Sequence, residues 1–202
     1  MAYSGTIWDS TTANNISIVN NTIQNNGTAS WENYVRSTNT ALAADLPSVK
    51  FTHSGSASSV KAAFGIGIDP LHDNTSGTSD FDYIDYRYRI NNSSYTIEIG
   101  NGSTSVKFTG THVQNNVYEI VLTSTQMHFK VNSSIKYSHT LPPSTDVLYQ
   151  HAVLKDTSNI CTGEYENFGS SSSGGGGPGG SSTISEGTFI DHILYMQTVV
   201  PK

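Results

Sequence analysis

Five of the 16 acidic residues fall between Asp69 and Asp85, and that stretch is the natural place to look for chemistry. Asp80, Asp82 and Asp85 have the i, i+2, i+5 spacing of a carboxylate trio. Retaining glycoside hydrolysis needs a nucleophile and an acid about 5 Å apart, and on a strand i and i+5 reach one face only across a bulge. Both outer positions are Asp, whose arm is short, and no Trp lies near them in sequence to platform a sugar. The sequence therefore assigns no catalytic residue: Asp80 and Asp82 solvate a strand entrance and Asp85 sits on its outer face. Asp69, Asp73, Asn74 and Asp80 offer hard oxygens of the kind calcium takes, with His72 among them. No EF-hand ladder orders them, so the expectation is a loop of Asx turns with no cofactor, Ca2+ being the alternative. The remaining histidines, at 53, 112, 128, 139, 151 and 192, show no metal-pair spacing and read as surface or pocket residues.

Recognition without reaction is the other chemistry on offer. Tyr83, Arg87 and Arg89 alternate with Ile84, Tyr86, Tyr88 and Ile90, which places them on the opposite face of one strand. There they line an exposed groove or pair with a neighbouring strand. The candidate ligand-binding set is thus Asp69, His72, Asp73, Asn74, Asp80, Tyr83, Arg87 and Arg89, with no metal ligand.

The elements that must hold these residues are strands. Period-two alternation marks Ile84 to Ile90, Tyr95 to Ile99, Val106 with Phe108, Tyr118 to Leu122, Met127 to Val131, and Ile135 with Tyr137. Asn91-Asn92-Ser93-Ser94, Gly100-Asn101-Gly102, Asn115-Asn116 and Asn132-Ser133-Ser134 supply reversals. Six such strands predict an antiparallel meander whose apolar face needs a second layer. Further strands are expected as an edge strand within Ile7 to Ile23, which carries Ile16, Ile18 and Val19 among Asn and Thr, over Trp31 to Arg36 with Trp31, Asn33 and Val35 on one face, and at Val147 to Leu154 and Tyr165 to Phe168. Val49 and Phe51 with Ala62 to Ile68 read as a hairpin closed at His53-Ser54-Gly55-Ser56. Thr38 to Leu46 has the one real helix propensity, at Ala41 to Ala44, stopped by Pro47. The Ser/Gly tract at 170–182 reads as a surface loop, because the apolar run from Phe189 to Val200 should return to the core as a last strand over 187–200. That makes residues 1–202 a single domain.

Charged residues are 13% of the chain, the net charge is -6 and the pI about 5.5, a balance that argues against nucleic acid and anionic membrane as partners. A lone cysteine excludes an internal disulfide framework. Met1 to Ser10 lacks the basic start and apolar core of a secretory signal, and no run approaches the length of a membrane span.

About a dozen short strands with regular turns imply an all-β, two-sheet sandwich. The run Ala62 to Ile68, the strand Ile84 to Ile90, Tyr95-Thr96-Ile97-Glu98-Ile99-Gly100-Asn101, Tyr118 to Leu122 and Met127 to Asn132 resemble the concanavalin A-like lectin/glucanase superfamily. The similarity covers roughly Trp31 to Phe168. Asn132-Ser133 stands where those relatives have Asn-Gly, and Ile99 intervenes between Glu98 and Gly100. The resemblance implies a jelly-roll sandwich of two antiparallel sheets, and the glucanase Glu-x-Asp-x-x-Glu strand is matched only in spacing by Asp80, Asp82 and Asp85. A compact, signal-less sandwich rich in Ser, Thr, Asn and Gly is also the style of virion spikes, fibre heads and minor capsid proteins. The functional expectation is a non-enzymatic recognition or structural module on a virus or phage particle or another extracellular surface. Its partners would be a glycan or neighbouring structural proteins, with self-association in a larger assembly. A secreted carbohydrate-binding or glycoside-hydrolase domain is the alternative.

Overall fold

The computed structural model describes residues 3–54, 60–68, 84–100, 105–141, 146–157 and 159–168. By its internal packing the chain divides into Met1–Ser171 and Ser172–Lys202. The expected Ser/Gly loop and the returning strand at 187–200 lie outside the described residues.

Fourteen strands are described: β1 Ser4–Gly5, β2 Ile16–Val19, β3 Thr22–Asn25, β4 Tyr34–Leu42, β5 Ser48–His53, β6 Lys61–Gly67, β7 Tyr86–Asn91, β8 Ser94–Ile99, β9 Ser105–Thr111, β10 Val117–Leu122, β11 Gln126–Val131, β12 Ser134–Thr140, β13 Val147–Leu154 and β14 Ile160–Glu166. They form two antiparallel sheets. One runs β12-β11-β10-β5-β14-β3-β2, with β1 paired to β14, and the other runs β4-β13-β6-β7-β8-β9.

Alternating apolar residues from both sheets meet in one core. Phe64, Tyr88 and Ile97 face Phe51, Tyr118 and Phe129, all fully buried. Tyr88 lies edge-on to Phe129 with centroids 5.5 Å apart, and its hydroxyl donates to the Glu119 and Lys130 carbonyls at 3.0 and 2.8 Å. Burying that ring therefore leaves no polar group unsatisfied at its tip. At the edge of this core His53 and His112 meet edge to face, 5.4 Å between centroids, and the His112 Nδ1 lies 2.5 Å from the Tyr118 hydroxyl. Both rings are buried, as is His151, so three histidines expected on the surface or in a pocket are interior. Cys161 is a free, fully buried thiol.

Three expectations fail, two about connection and one about a helix. The six-strand meander is two three-strand meanders, β7-β8-β9 in one sheet and β10-β11-β12 in the other. Likewise β5 and β6 are not a hairpin but belong to opposite sheets. The helix expected before Pro47 is mostly strand: β4 runs to Leu42, and only Ala43–Asp45 turn, as a 3-10 helix ending on Leu46 in the left-handed region (φ 51°, ψ 54°). Period two reports which face a residue takes and is silent on which strand pairs with it, and pairing overrides a weak helix propensity.

Candidate functional site

The outer faces of the two sheets differ in kind. On the eight-stranded sheet Glu164, Lys50, Glu119 and Lys130 sit opposite one another on β14, β5, β10 and β11. They form an alternating ladder, with Lys50 Nζ 2.8 Å from Glu164 and Lys130 Nζ 3.5 Å from Glu119, each partly open to water. Tyr3 lies across it, its ring 4.2 Å from Lys50 Nζ and its hydroxyl donating to Glu119. Such surface pairs are worth little each and solubilise the face.

On the six-stranded sheet the outer face is buried. Arg36, His151, Gly65, Arg87 and Glu98 stand in register across β4, β13, β6, β7 and β8. The next row is Tyr34, Val153, Ala63, Arg89 and Thr96. Tyr34, Ala63, Ile84 and Val153 form a second apolar cluster, separate from the core, against which Trp31 packs. All three arginines of the chain, Arg36, Arg87 and Arg89, project from this face.

The polar groups there are joined. Arg87 Nε lies 2.9 Å from Glu98 Oε2, and its Nη1 donates to the Ile84 carbonyl at 3.2 Å. Glu98 Oε1 accepts from Thr96 Oγ1 at 2.8 Å and stands 3.8 Å from Arg89 Nη1. The Tyr34 hydroxyl and His151 Nδ1 are 2.6 Å apart, and Arg36 lies over the Tyr149 ring at 5.0 Å with Asp9 at 3.5 Å. Burial of the Asp9 carboxyl works against its ionisation. Hydrogen bonds from Thr11 and the Arg36 charge outweigh that and hold it below the usual carboxylate range. At the other margin Arg89 and Lys155 each stand 5.4 Å from the Trp31 ring centroid.

Glycine makes this packing possible. A Cβ on Gly65 would come 2.0 Å from the Tyr86 carbonyl oxygen, so only glycine lets β6 and β7 approach this closely. Gly65 leaves the middle of the face without a side chain between His151 and Arg87, and Gly67 does the same beside Tyr149.

Of the eight residues expected from sequence, the structure places two. Arg87 and Arg89 lie on one face of β7 as the alternation requires, opposite Tyr88 and Ile90. Arg87 is no part of an exposed groove: it is fully buried and paired with Glu98 on the next strand. Arg89 is about a third exposed at the Trp31 margin. Ile84, expected with Tyr88 on the core side, lies before β7 and packs instead in the outer cluster, because the chain bends at Asp85. Asp85, expected on the outer face of the strand, lies at the bend before β7, is almost wholly buried and accepts the Ile68 backbone N–H at 2.8 Å. Asp69, His72, Asp73, Asn74, Asp80 and Tyr83 lie outside the described residues, as does the proposed calcium loop. Among the described residues no group of three or more His, Cys, Asp or Glu is placed to hold a metal ion.

Trp31, Tyr34, Arg36, Tyr149 and His151 are the residues that sequence reasoning missed. Trp31 is distant from β7 in sequence, yet it packs against the cluster that includes Ile84 and lies under Arg89. The signal for Tyr34 and Arg36 was present, since both alternate away from Val35. Trp31 precedes β4 and so escapes the strand period that grouped it with Asn33 and Val35.

No family model matches the sequence, and no curated protein is recognisably related to it. Solved structures do share its fold. The TRIM65 PSpry domain is 13% identical with a TM-score of 0.58, over 79% of this chain and 89% of that one. The VIP36 exoplasmic/lumenal domain in its Ca2+/Man3GlcNAc-bound form is 7% identical with a TM-score of 0.56, over 80% and 84%. The carbohydrate-binding module CBM66 from Bacillus subtilis is 8% identical with a TM-score of 0.50, over 81% and 94%. At these identities the likeness is one of architecture, and the architecture is the concanavalin A-like jelly-roll sandwich of two antiparallel sheets.

Proposed function

We propose that the chain is a non-enzymatic, lectin-like module that binds a neutral glycan at the Trp31 margin of its six-stranded sheet, where the buried outer face opens to solvent. The observation that carries this reading is Trp31, a half-buried indole bordered by Arg89 and Lys155 at the margin of a face otherwise made of Tyr, Arg, His and paired carboxylate. A sugar presents apolar C–H patches to an aromatic ring and hydroxyls to planar polar groups, and the Trp31 ring with the partly exposed Arg89 beside it provides both at that margin. The guanidiniums are matched by Asp9 and Glu98, which favours a neutral over an acidic sugar. Two of the structures alike in fold carry sugar recognition in their descriptions, CBM66 as a carbohydrate-binding module and VIP36 in a Man3GlcNAc-bound form. Asp73 and Asp80, which precede β7 in sequence and lie outside the described residues, are proposed as further sugar-binding residues.

Glycan-array binding of the intact chain, followed by titration of the best ligand, tests this. Trp31→Ala should weaken binding about tenfold or more with the fold intact, and Asp73→Ala or Asp80→Ala should weaken it as well. Binding untouched by Trp31→Ala, or no glycan bound at all, overturns the assignment, and sugar release from β-glucans would favour the hydrolase alternative. The same proposal extends to place: a spike, fibre head or minor capsid protein on a virus or phage particle that attaches to host glycan and self-associates there. Co-purification of the chain with intact particles is the test.

A further inference from the structure

At one end of the sandwich, away from the face just described, the two sheets part around a cavity of about 290 Å3. Among the described residues its walls are Leu122 and Met127 from one sheet and Ile68, Tyr86 and Leu148 from the other, with the Ala43–Asp45 turn across the mouth. Three polar side chains are set at its edge, Thr123, Ser124 and Asp146. Two of the large apolar residues exposed among those described, Leu46 and Ile68, line the same opening. Leu46, at φ 51°, is the left-handed residue that ends the Ala43–Asp45 turn and sets its side chain at the opening.

We infer that this cavity is a binding site for a small organic molecule with an aromatic or branched aliphatic body and one hydroxyl or ammonium group. The volume sets the body: an apolar cavity of about 150 Å3 accepts benzene, so twice that accepts a bicyclic ring. The polar edge sets the head group. The Tyr86 hydroxyl lies within the field of Asp146, and burial together with the Asp85 and Asp146 charges raises its pKa, so it stays a neutral phenol. A carboxylate beside a phenol welcomes a donor and repels an anion. The exposed Leu46 and Ile68 side chains then cover whatever part of the body protrudes.

Naphthalene fluorescence gives the test on the full chain. 2-Naphthylmethylamine and 2-naphthylmethanol should bind saturably at one site, with 2-naphthoate about tenfold weaker or worse. Asp146→Asn should abolish that discrimination. Ala43→Phe, which fills the mouth, should cost about tenfold in affinity for the amine while leaving glycan binding alone; should it fail to fold, Ser124→Trp at the exposed rim serves the same end. Equal binding of the naphthoate, undiminished binding by the filled variants, or no saturable binding of any of the three overturns the inference. None of these outcomes bears on the sugar face, which is tested by Trp31.

Discussion

Arg87 and Glu98 face each other across β7 and β8 with 2.9 Å between Nε and Oε2, and neither is open to water: their side chains are 0% and 3% exposed. A buried ion pair is not by itself a source of stability, because desolvating two charges costs about what their attraction returns. Breaking it is another matter. Without Glu98 the buried guanidinium loses its carboxylate where no water can reach it, and without Arg87 the buried carboxylate keeps only Arg89, at 3.8 Å.

Glu98→Ala or Arg87→Ala should therefore cost about 3–5 kcal/mol in urea unfolding, far more than a surface charge. The double substitution Arg87→Met with Glu98→Leu should recover most of that, since it removes both charges and keeps the volume. A single substitution costing under about 1 kcal/mol would mean that the pair is solvated and the face open.

Gly65→Ala should be as damaging as losing the ion pair partner, and for a steric reason. The added methyl meets the Tyr86 carbonyl oxygen at 2.0 Å and the Arg87 Cα at 2.8 Å, both backbone atoms fixed by the β6-β7 ladder. On the order of 2–4 kcal/mol should be lost, as for other overpacked interiors. Gly5→Ala is the control, because its methyl meets only the Asn21 side chain, at 3.0 Å or more. Comparable melting temperatures for the two variants would refute the assignment of Gly65 as the closest approach of the two strands.

These two sites also mark what the sequence could and could not say. The alternation Ile84 to Ile90 puts Arg87 opposite Tyr88, and the structure agrees. A polar residue opposite a core residue reads as solvent-facing, however, and Arg87 is buried because the second face has its own apolar cluster of Tyr34, Ala63, Ile84 and Val153. Members of that cluster come from three strands and a bend, so no window of sequence displays it. Reversals were legible where the turn chemistry is local: Asn132 and Ser133, at φ 49° and 65°, join β11 to β12 as the Asn-Ser pair suggests. The passage from β9 to β10 was not, since Asn115 turns the chain identically whether the next strand pairs within a sheet or crosses to the other. The all-β class survives this ignorance because period two fixes faces whatever the pairing.

Cys161 should be inert in the folded chain. Its thiol is fully buried, and burial drives its pKa far above the ordinary value, so the reactive thiolate is not formed at neutral pH. A disulfide exchange reagent should label it at the rate at which the protein opens, and at once in urea. Rapid stoichiometric labelling without denaturant would show that β14 is not sealed between β5 and β3.

Stability should fall as the solution is acidified from about pH 6.5 to about pH 4, ahead of general acid unfolding, and His53 is the reason. Burial lowers its pKa to about 4, with the nearby His112 adding to the effect, and burial lowers that of His112 too. Both are thus neutral in the folded chain. An unfolded histidine takes up its proton near pH 6.5, so between the two values the unfolded state binds more protons and stability rises with pH across the window. For His53 the full effect is about 3 kcal/mol, and it is present above pH 6.5 and lost towards pH 4. The Asp9 contribution has the same sign but is lost lower, as pH falls below the ordinary carboxylate range, so the two separate on the pH axis. Thermal melts at half-unit steps should show the decline, and His53→Asn should flatten it while lowering stability at pH 7. A melting temperature constant from pH 7 to pH 4.5 in the unaltered chain would show that the His53 and His112 rings reach water.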